Sequence, residues 1–475
     1  MRRRAIGASP AVLVLAAGLG KRMRSSRIKL LHPVAGRPMV AHVLEAARAI
    51  RPSRLVTVIG HQADEVRAAL SELCEDFVLQ AEQRGTGHAV LMARSLLLGS
   101  GSSSLLILNG DLPTLRPKTL RALVARHRRS GSALTLVSAE VRDPRGYGRV
   151  VRDRSGRVLR IVEDRDATAT ERGIREINCG IYCADGRKLL SVLRSLRPTN
   201  AQREVYLTDA VHRLLARGER VVAALSSDAE EVLGVNTRAE LGRAGRTLYA
   251  RKAEELQAAG VTLLDPSRIF VDPRARIGRD TVIYPGVMVE GPSVIGRECI
   301  VRSGCRLVDV ILGRGVEIKD LSVIEESRLL DGSSAGPFAH LRPGAILEPG
   351  ARVGNFVELK KSRLGRGSKA QHLTYLGDAT IGPGCNIGAG TITCNYDGKR
   401  KYPTTLGPGV FIGSDAQLIA PVRVGKGAYV AAGTTVTDDV PAGALAIGRA
   451  RQTNVPGWVA RRRKKLRGAG RNKRP

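Results

Sequence analysis

The sequence predicts an α/β protein in two parts: a domain with a mostly parallel sheet, then a parallel β-coil built of hexapeptide repeats. Three observations carry this. An apolar run, AVLVL at residues 11–15, passes straight into a glycine-rich turn, LAAGLGKRM at 15–23. Apolar strand patterns and helical patterns then alternate through the first half. From Ile277 onward a small aliphatic residue followed by glycine recurs along the chain.

The first run reads as a buried parallel strand. The turn after it is the kind that holds phosphates: glycines admit backbone N–H groups to anionic oxygens, and Arg22 and Lys29 add positive charge. An ordinary strand-to-helix turn is the plain alternative. Met23 stands where a G-x-G-x-x-G fingerprint has its third glycine, which argues against a nicotinamide-type dinucleotide site. Further strands are expected at Arg54–Ile59, 105–108, 133–137, 177–183 and 220–224, with helices over 39–50 and 62–71. A ligand of such a sheet lies over the carboxyl ends of its strands. Residues 237–259 are charged and helical in pattern and read as a connecting helix. The repeats follow, among them Ile277-Gly278, Ile295-Gly296, Leu312-Gly313, Ile381-Gly382 and Ile412-Gly413. They predict a triangular coil whose aliphatic side chains fill a narrow prism while glycine takes the tight corners. The aromatic content of 3% suits such a prism. Flat coil faces commonly pack against symmetry mates, and a cyclic trimer is expected. Stutters at 364–386 and 387–406 predict loops inserted between rungs.

At 475 residues, 43% of them hydrophobic, the chain has ample material for two or three domains. Its seven cysteines are scattered, with no C-x-x-C pair, which argues for reduced thiols in a cytoplasmic protein and against a zinc site. No apolar run is long enough to span a membrane. Arg2–Arg4 ahead of 11–17 has a faint signal-peptide cast, but its apolar stretch is short and leads directly into the glycine turn. The net charge of +33 favours anionic substrates. Arg461–Pro475, RRRKKLRGAGRNKRP, carries nine basic residues and no acid, and its composition predicts disorder with weak contact to polyanions.

The motifs become specific in combination. QAEQRGTGHA (80–89), NGDLP (109–113), DPRGYGRV (143–150), IVEDRDA (161–167), EINCGIY (176–182) and GVN (234–236) come in order. LRPGA (341–345), VGNFVELKKSRLGRGSKAQHLTYLGDA (353–379), NIGAGTITCNYDG (386–398) and FIGSDAQLIAPV (411–422) follow them. The set resembles the bacterial bifunctional N-acetylglucosamine-1-phosphate uridylyltransferase/glucosamine-1-phosphate N-acetyltransferase family over nearly the whole chain. The resemblance implies a Rossmann-like nucleotidyltransferase domain over 1–236 and a linker helix over 237–260. It also implies a left-handed parallel β-helix acetyltransferase over 261–458, and the basic tail takes 459–475. It implies acetyl transfer from acetyl-CoA to glucosamine 1-phosphate, then uridylyl transfer from UTP with release of pyrophosphate, feeding peptidoglycan and lipopolysaccharide synthesis. A homotrimer and Mg²⁺ are implied as well.

Residue by residue, the family pattern assigns Leu15, Ala16, Ala17, Gly18, Gln80, Gly85 and Thr86 to the nucleotide, with Arg22 and Lys29 stabilising phosphate. Gly148, Glu163 and Asn178 match the sugar contacts, and Asp111 and Asn236 the metal ligands; a hard cation wants oxygen donors. In the coil His372 matches the general base. Arg342, Lys360, Tyr375 and Asn386 match the sugar-phosphate pocket. Ala389, Asn395, Tyr396, Ser414, Ala432 and Arg449 match the acetyl-CoA contacts. Glu358 is a weaker candidate for tuning the base. The chain departs from the pattern at Lys21, Ile28, Asn109, Leu233 and Gln371, and none of these removes an assigned chemical group. Two other readings stay open at this point: a single-activity nucleotidyltransferase whose coil only trimerises, and a polyanion-binding protein acting through its tail.

Overall fold

The computed structural model describes residues 9–18, 20–198, 200 and 202–471. Arg2–Arg4 and tail residues 472–475 lie outside them. The chain forms two compact units, one of residues up to Glu254 with Val271–Pro273, the other of Glu255–Phe270 and residues from Arg274 onward.

The first unit is a sheet between two apolar layers. Its strands run in the order Val221–Leu225, Leu134–Glu140, Glu176–Asp185, Ser104–Asn109, Ala11–Ala16, Arg54–Ile59, Asp76–Leu79. All neighbours are parallel except Glu176–Asp185, which is antiparallel to the strands on both sides. Alternation along Ala11–Ala16 explains the layering. Val12, Val14 and Ala16 enter one core with Met39, Val43 and Leu44 of the Met39–Arg48 helix, while Ala11 and Leu13 enter the other with Val90 and Leu193. The expected strands and helices are all present, within one or two residues of the predicted bounds at most ends.

The helix expected to link the two parts spans Arg238–Ala258. It belongs largely to the first unit: Ala244 is in that unit's core, and Leu241 and Leu248 pack against it. Its start is fixed by a capping box. The Thr237 hydroxyl accepts from Glu240 N at 3.2 Å, and Glu240 Oε2 accepts from Thr237 N at 2.8 Å.

The second unit is a coil of parallel rungs, each advancing 17 or 18 residues except the step from Ile381 to Leu406, which carries an excursion. One stack pairs Ile277, Ile295, Leu312, Leu329, Leu347, Leu364, Ile381, Leu406 and Val424 in sequence. Every member is buried. The glycine after the stacked aliphatic is needed because rungs touch there: a Cβ on Gly278 would lie 2.7 Å from Gly296 O. The stutter at 387–406 is an excursion in which Tyr396 bridges Lys401 and Tyr402 N donates to Asn395 O. No loop is inserted over 364–386; the nine-residue strand Lys369–Gly377 occupies that stretch and pairs along Arg352–Lys360. The tail also differs from expectation: Trp458–Arg471 is a helix, not a disordered segment. Leu, Ala, Arg and Lys are good helix formers, and no glycine or proline interrupts Trp458–Arg467.

Candidate functional sites

The first site lies over the carboxyl end of the Ala11–Ala16 strand. Gly20 takes a positive φ of 60°, and a side chain there would strike Lys29, so glycine lets Lys29 fold back over the turn. Lys29 Nζ donates to Asp111 Oδ2 at 2.5 Å and to Asn236 Oδ1 at 2.7 Å; Arg22 donates to the same Asn236 oxygen at 2.8 Å. Two oxygens far apart in sequence, one just past the Ser104–Asn109 strand and one just before the Arg238–Ala258 helix, thus converge on one cationic nitrogen. Asp111 holds the loop opposite it, since its backbone oxygen accepts from Val235 N at 2.9 Å. Asn236 is held by its own N–H, which donates to Glu240 Oε2 at 2.7 Å. One carboxylate and one amide oxygen, open on the cavity side, suit a divalent ion that completes its shell with water and phosphate.

A cavity of about 510 Å³ adjoins this knot, lined among others by Leu15, Ala17, Gly18, Lys29, Gln80, Gly85, Thr86 and Asp111. Ala16 is not part of it; its side chain is buried in the core. Gln80 is buried, and its amide donates to Gly85 O at 3.1 Å and meets His88 Nδ1 at 3.0 Å. Gly85 has a φ of 98°, and a Cβ there would lie 2.6 Å from Val205 O. Thr86 Oγ1 accepts from Leu207 N at 3.0 Å.

A second cavity brings Arg22, Asp111, Gly148, Glu163, Asn178 and Asn236 together. Asn178 N donates to Gly148 O at 2.8 Å, and its side chain donates to the Tyr182 hydroxyl at 2.5 Å. Glu163 accepts from Thr208 Oγ1 at 2.9 Å; burial pushes its carboxyl above the ordinary value, and Asp209 and Asp166 add to the rise. Asn109, the departure beside the glycine of NGD, packs its amide on Gly180, whose φ is 69°. Sequence reasoning missed Arg165, two residues after Glu163 in the IVEDRDA motif, and Gln202, in a segment with no motif of its own; both line the cavities.

On the coil, register gathers residues that are far apart in sequence. Ala370 pairs Ile387, Ile387 pairs Ile412, and Ile412 pairs Val430, which puts His372, Ala389, Ser414 and Ala432 in one column, with Asn355 beneath His372. Arg449 reaches the top of that column, donating to Ala432 O at 2.8 Å. His372 is exposed, and its Nδ1 meets Asn355 Oδ1 at 2.9 Å. Asn355 Oδ1 can only accept, so this contact places the ring proton on Nδ1 and leaves Nε2 unprotonated in the neutral ring.

A second cluster stands at the next corner. Arg342 and Lys360 share a column, and Arg342 donates to Glu358 Oε1 at 2.8 Å. Glu358 therefore belongs with this cluster and not with His372. Lys401 comes up beside Lys360, and this neighbouring cation, with Arg342, holds Lys360 below the ordinary lysine value. Tyr375, on the face between the corners, reaches over Gly377, and Asn395 donates to Asp378 at 2.6 Å. Asn395 is buried against this cluster, while Tyr396 is exposed on the excursion. Asn386 pairs Lys369, on the far side of the His372 corner, so one chain does not gather it with Arg342 and Lys360. Lys401 was missed because its role appears only when the excursion folds back.

Among the described residues, no group of three or more acidic, His or Cys side chains could hold a metal, and no helix is long and apolar enough to cross a membrane. All seven cysteines are unpaired.

Residues 12–217 match the family model of the MobA-like NTP transferase domain, and 274–308 and 403–438 match the bacterial transferase hexapeptide repeats. A "Bifunctional protein GlmU" of Pelobacter propionicus is 50% identical over 96% of this chain and 99% of its own length. Proteins of the same name from Trichlorobacter lovleyi and Anaeromyxobacter sp. strain Fw109-5 are 48% and 50% identical, over 95% and 97% of this chain and 98% and 94% of their own. Matched along both of its units, the chain belongs to the bifunctional GlmU family.

Proposed function

We infer that the chain is a bifunctional enzyme of UDP-N-acetylglucosamine synthesis. The coil acetylates glucosamine 1-phosphate with acetyl-CoA, and the α/β unit joins UTP to N-acetylglucosamine 1-phosphate with release of pyrophosphate. The observation that carries this reading is the presence of two separate chemical centres, the Lys29–Asp111–Asn236 knot and the His372–Asn355 pair, in a chain matched by GlmU relatives over 96% of its length.

For acetyl transfer, the substrate amine must lose a proton to attack the thioester carbonyl. His372 Nε2 takes that proton while Asn355 holds the ring, and the thiolate leaves as the tetrahedral intermediate collapses. Arg342, Lys360 and Lys401 bind the sugar phosphate, and Tyr375 lies under the sugar. Ala389, Ser414 and Ala432 form a column of small residues along which the pantetheine arm lies, with Arg449 at its nucleotide end.

For uridylyl transfer, the sugar phosphate attacks the α-phosphorus in line and pyrophosphate departs. Catalysis is mostly positioning and charge stabilisation. Arg22 and Lys29 supply cationic charge, Gln80, Gly85 and Thr86 read the base, and Gly148, Glu163 and Asn178 hold the sugar. Asp111 and Asn236 would hold Mg²⁺, which neutralises phosphate charge when bound.

A homotrimer is supported by the coil's corners. Asp309 and Glu326 take positive φ at one corner and Asp280 and Glu298 at another. At the third corner Leu321, Phe338, Phe356 and Leu373 do so on successive rungs, all exposed, with φ of 45–57°. The Phe338 and Phe356 rings stack at 5.3 Å. Large apolar residues in a strained, exposed conformation make physical sense as a seam between copies. Leu373 follows His372, so a copy seated there also completes the acetyl-transfer site. The unpaired thiols support a cytoplasmic setting. Purified protein given UTP, acetyl-CoA, glucosamine 1-phosphate and Mg²⁺ should make UDP-N-acetylglucosamine; absence of that product overturns the reading.

A further inference from the structure

We propose that His88 is a positioning residue for base selection: it locks the Gln80 carboxamide so that its oxygen faces the nucleotide cavity and accepts the N3–H of uracil. The proposal rests on the reading of the α/β unit as a uridylyltransferase and adds the residue that holds the base reader in place. Gln80 directly follows the Asp76–Leu79 strand, and its N–H donates to Ile59 O at 2.8 Å. Its side chain is buried at the cavity wall. A buried carboxamide needs partners that tell its oxygen from its nitrogen, and Gln80 has two. Gly85 O, which can only accept, lies 3.1 Å from Nε2. His88 Nδ1 lies 3.0 Å from the same nitrogen. An amide nitrogen only donates, so Nδ1 accepts and the proton of the neutral His88 ring sits on its Nε2. Both amide hydrogens are thereby used, and Gln80 Oε1 has no hydrogen-bond partner among the described residues.

Turning the amide over would set its oxygen against Gly85 O and His88 Nδ1, both acceptors, and would forfeit two hydrogen bonds. Gly85 O alone is the weaker lock, because it also accepts from Ala89 N at 3.2 Å and keeps a partner if the amide turns. The His88 ring, carried on the Thr86–Met92 helix, therefore supplies most of the preference for one orientation. The oxygen left facing the cavity can only accept. Uracil offers it the N3–H. Cytosine has a bare lone pair at N3 and would set acceptor against acceptor, which a site built around that hydrogen bond rejects.

Pyrophosphate release from UTP and from CTP, each with N-acetylglucosamine 1-phosphate and Mg²⁺, is compared for the wild-type chain, His88→Leu and His88→Asn. Leucine keeps bulk without an acceptor; asparagine keeps an acceptor oxygen close to the place of Nδ1. His88→Leu should raise KM for UTP roughly tenfold with kcat little changed, and should lower the UTP-over-CTP preference in kcat/KM by roughly tenfold. His88→Asn should restore most of both. Lost packing alone would lower kcat for the two nucleotides alike, leave their ratio unchanged and gain nothing from asparagine. Thermal melts confirm that each variant is folded. An unchanged UTP/CTP ratio in His88→Leu, or an equal loss in the two variants, overturns the proposal and leaves uridylyl transfer standing. A wild type that uses UTP and CTP equally well overturns it too. A wild type that uses neither overturns the uridylyltransferase reading and the proposal together.

Discussion

At the scale of single residues, chemistry depends on partners that the linear motifs do not reveal. His372 is in a recognisable block, yet the partner that orients its ring, Asn355, lies one rung below. Asn355→Ala should lower kcat for acetyl transfer by roughly tenfold or more while leaving KM for glucosamine 1-phosphate little changed, because the ring loses its fixed tautomer and not its substrate contacts. Steady-state thiol release measures both. Glu163 gives a pH-dependent prediction. Burial raises its carboxyl above the ordinary 4.5, so the folded chain holds that proton more tightly than the unfolded one. Its contribution is full below that value and is lost as pH rises through the folded value. Glu163→Gln should therefore raise stability at pH 7, change it less near pH 4, and reduce uridylyl transfer. Thermal melts at the two pH values check the sign. Most of the residues that line the two cavities were legible because each sits in a short contiguous motif. Gln202 and Lys401 were not, since only folding brings them there; Arg165 and Asn355 lie inside quoted motifs, but their partners appear only in the fold. Ala16 was overread: alternation along its strand turns it into the core.

At the scale of elements, the period of the sequence determined what could be read. Recurring aliphatic-glycine pairs announced the coil, and the apolar runs announced the sheet. The antiparallel direction of Glu176–Asp185 was not legible, because side-chain alternation is the same for either direction. The tail helix was hidden by its charge, which resembles that of a disordered segment. Two elements carry tests. The Thr237–Glu240 capping box holds both the start of the Arg238–Ala258 helix and the Asn236 backbone. Glu240→Ala should cost about 1 kcal/mol of stability and raise the Mg²⁺ concentration needed for half-maximal uridylyl transfer, while acetyl transfer is untouched. The Leu321–Phe338–Phe356–Leu373 corner carries the other. Asp already takes positive φ at the same turn position in Asp280 and Asp309, so Phe338→Asp with Phe356→Asp should leave the coil folded. Analytical ultracentrifugation should then show loss of the trimer, and acetyl transfer should fall with it.

At the scale of the whole molecule, two units of different architecture each carry one of the proposed centres. The strong positive charge suits a protein whose substrates are all phosphorylated, with the tail as a local excess. The central claim is that the two reactions are chemically independent, and one paired measurement tests it most directly. Lys29→Met and His372→Ala are each assayed for pyrophosphate release and for thiol release, alone and mixed. The account predicts that Lys29→Met loses uridylyl transfer by about 10²–10³-fold and keeps acetyl transfer. It predicts the converse for His372→Ala, and UDP-N-acetylglucosamine formation from glucosamine 1-phosphate only when the two proteins are combined. Wild-type acetyl transfer by His372→Ala would contradict it.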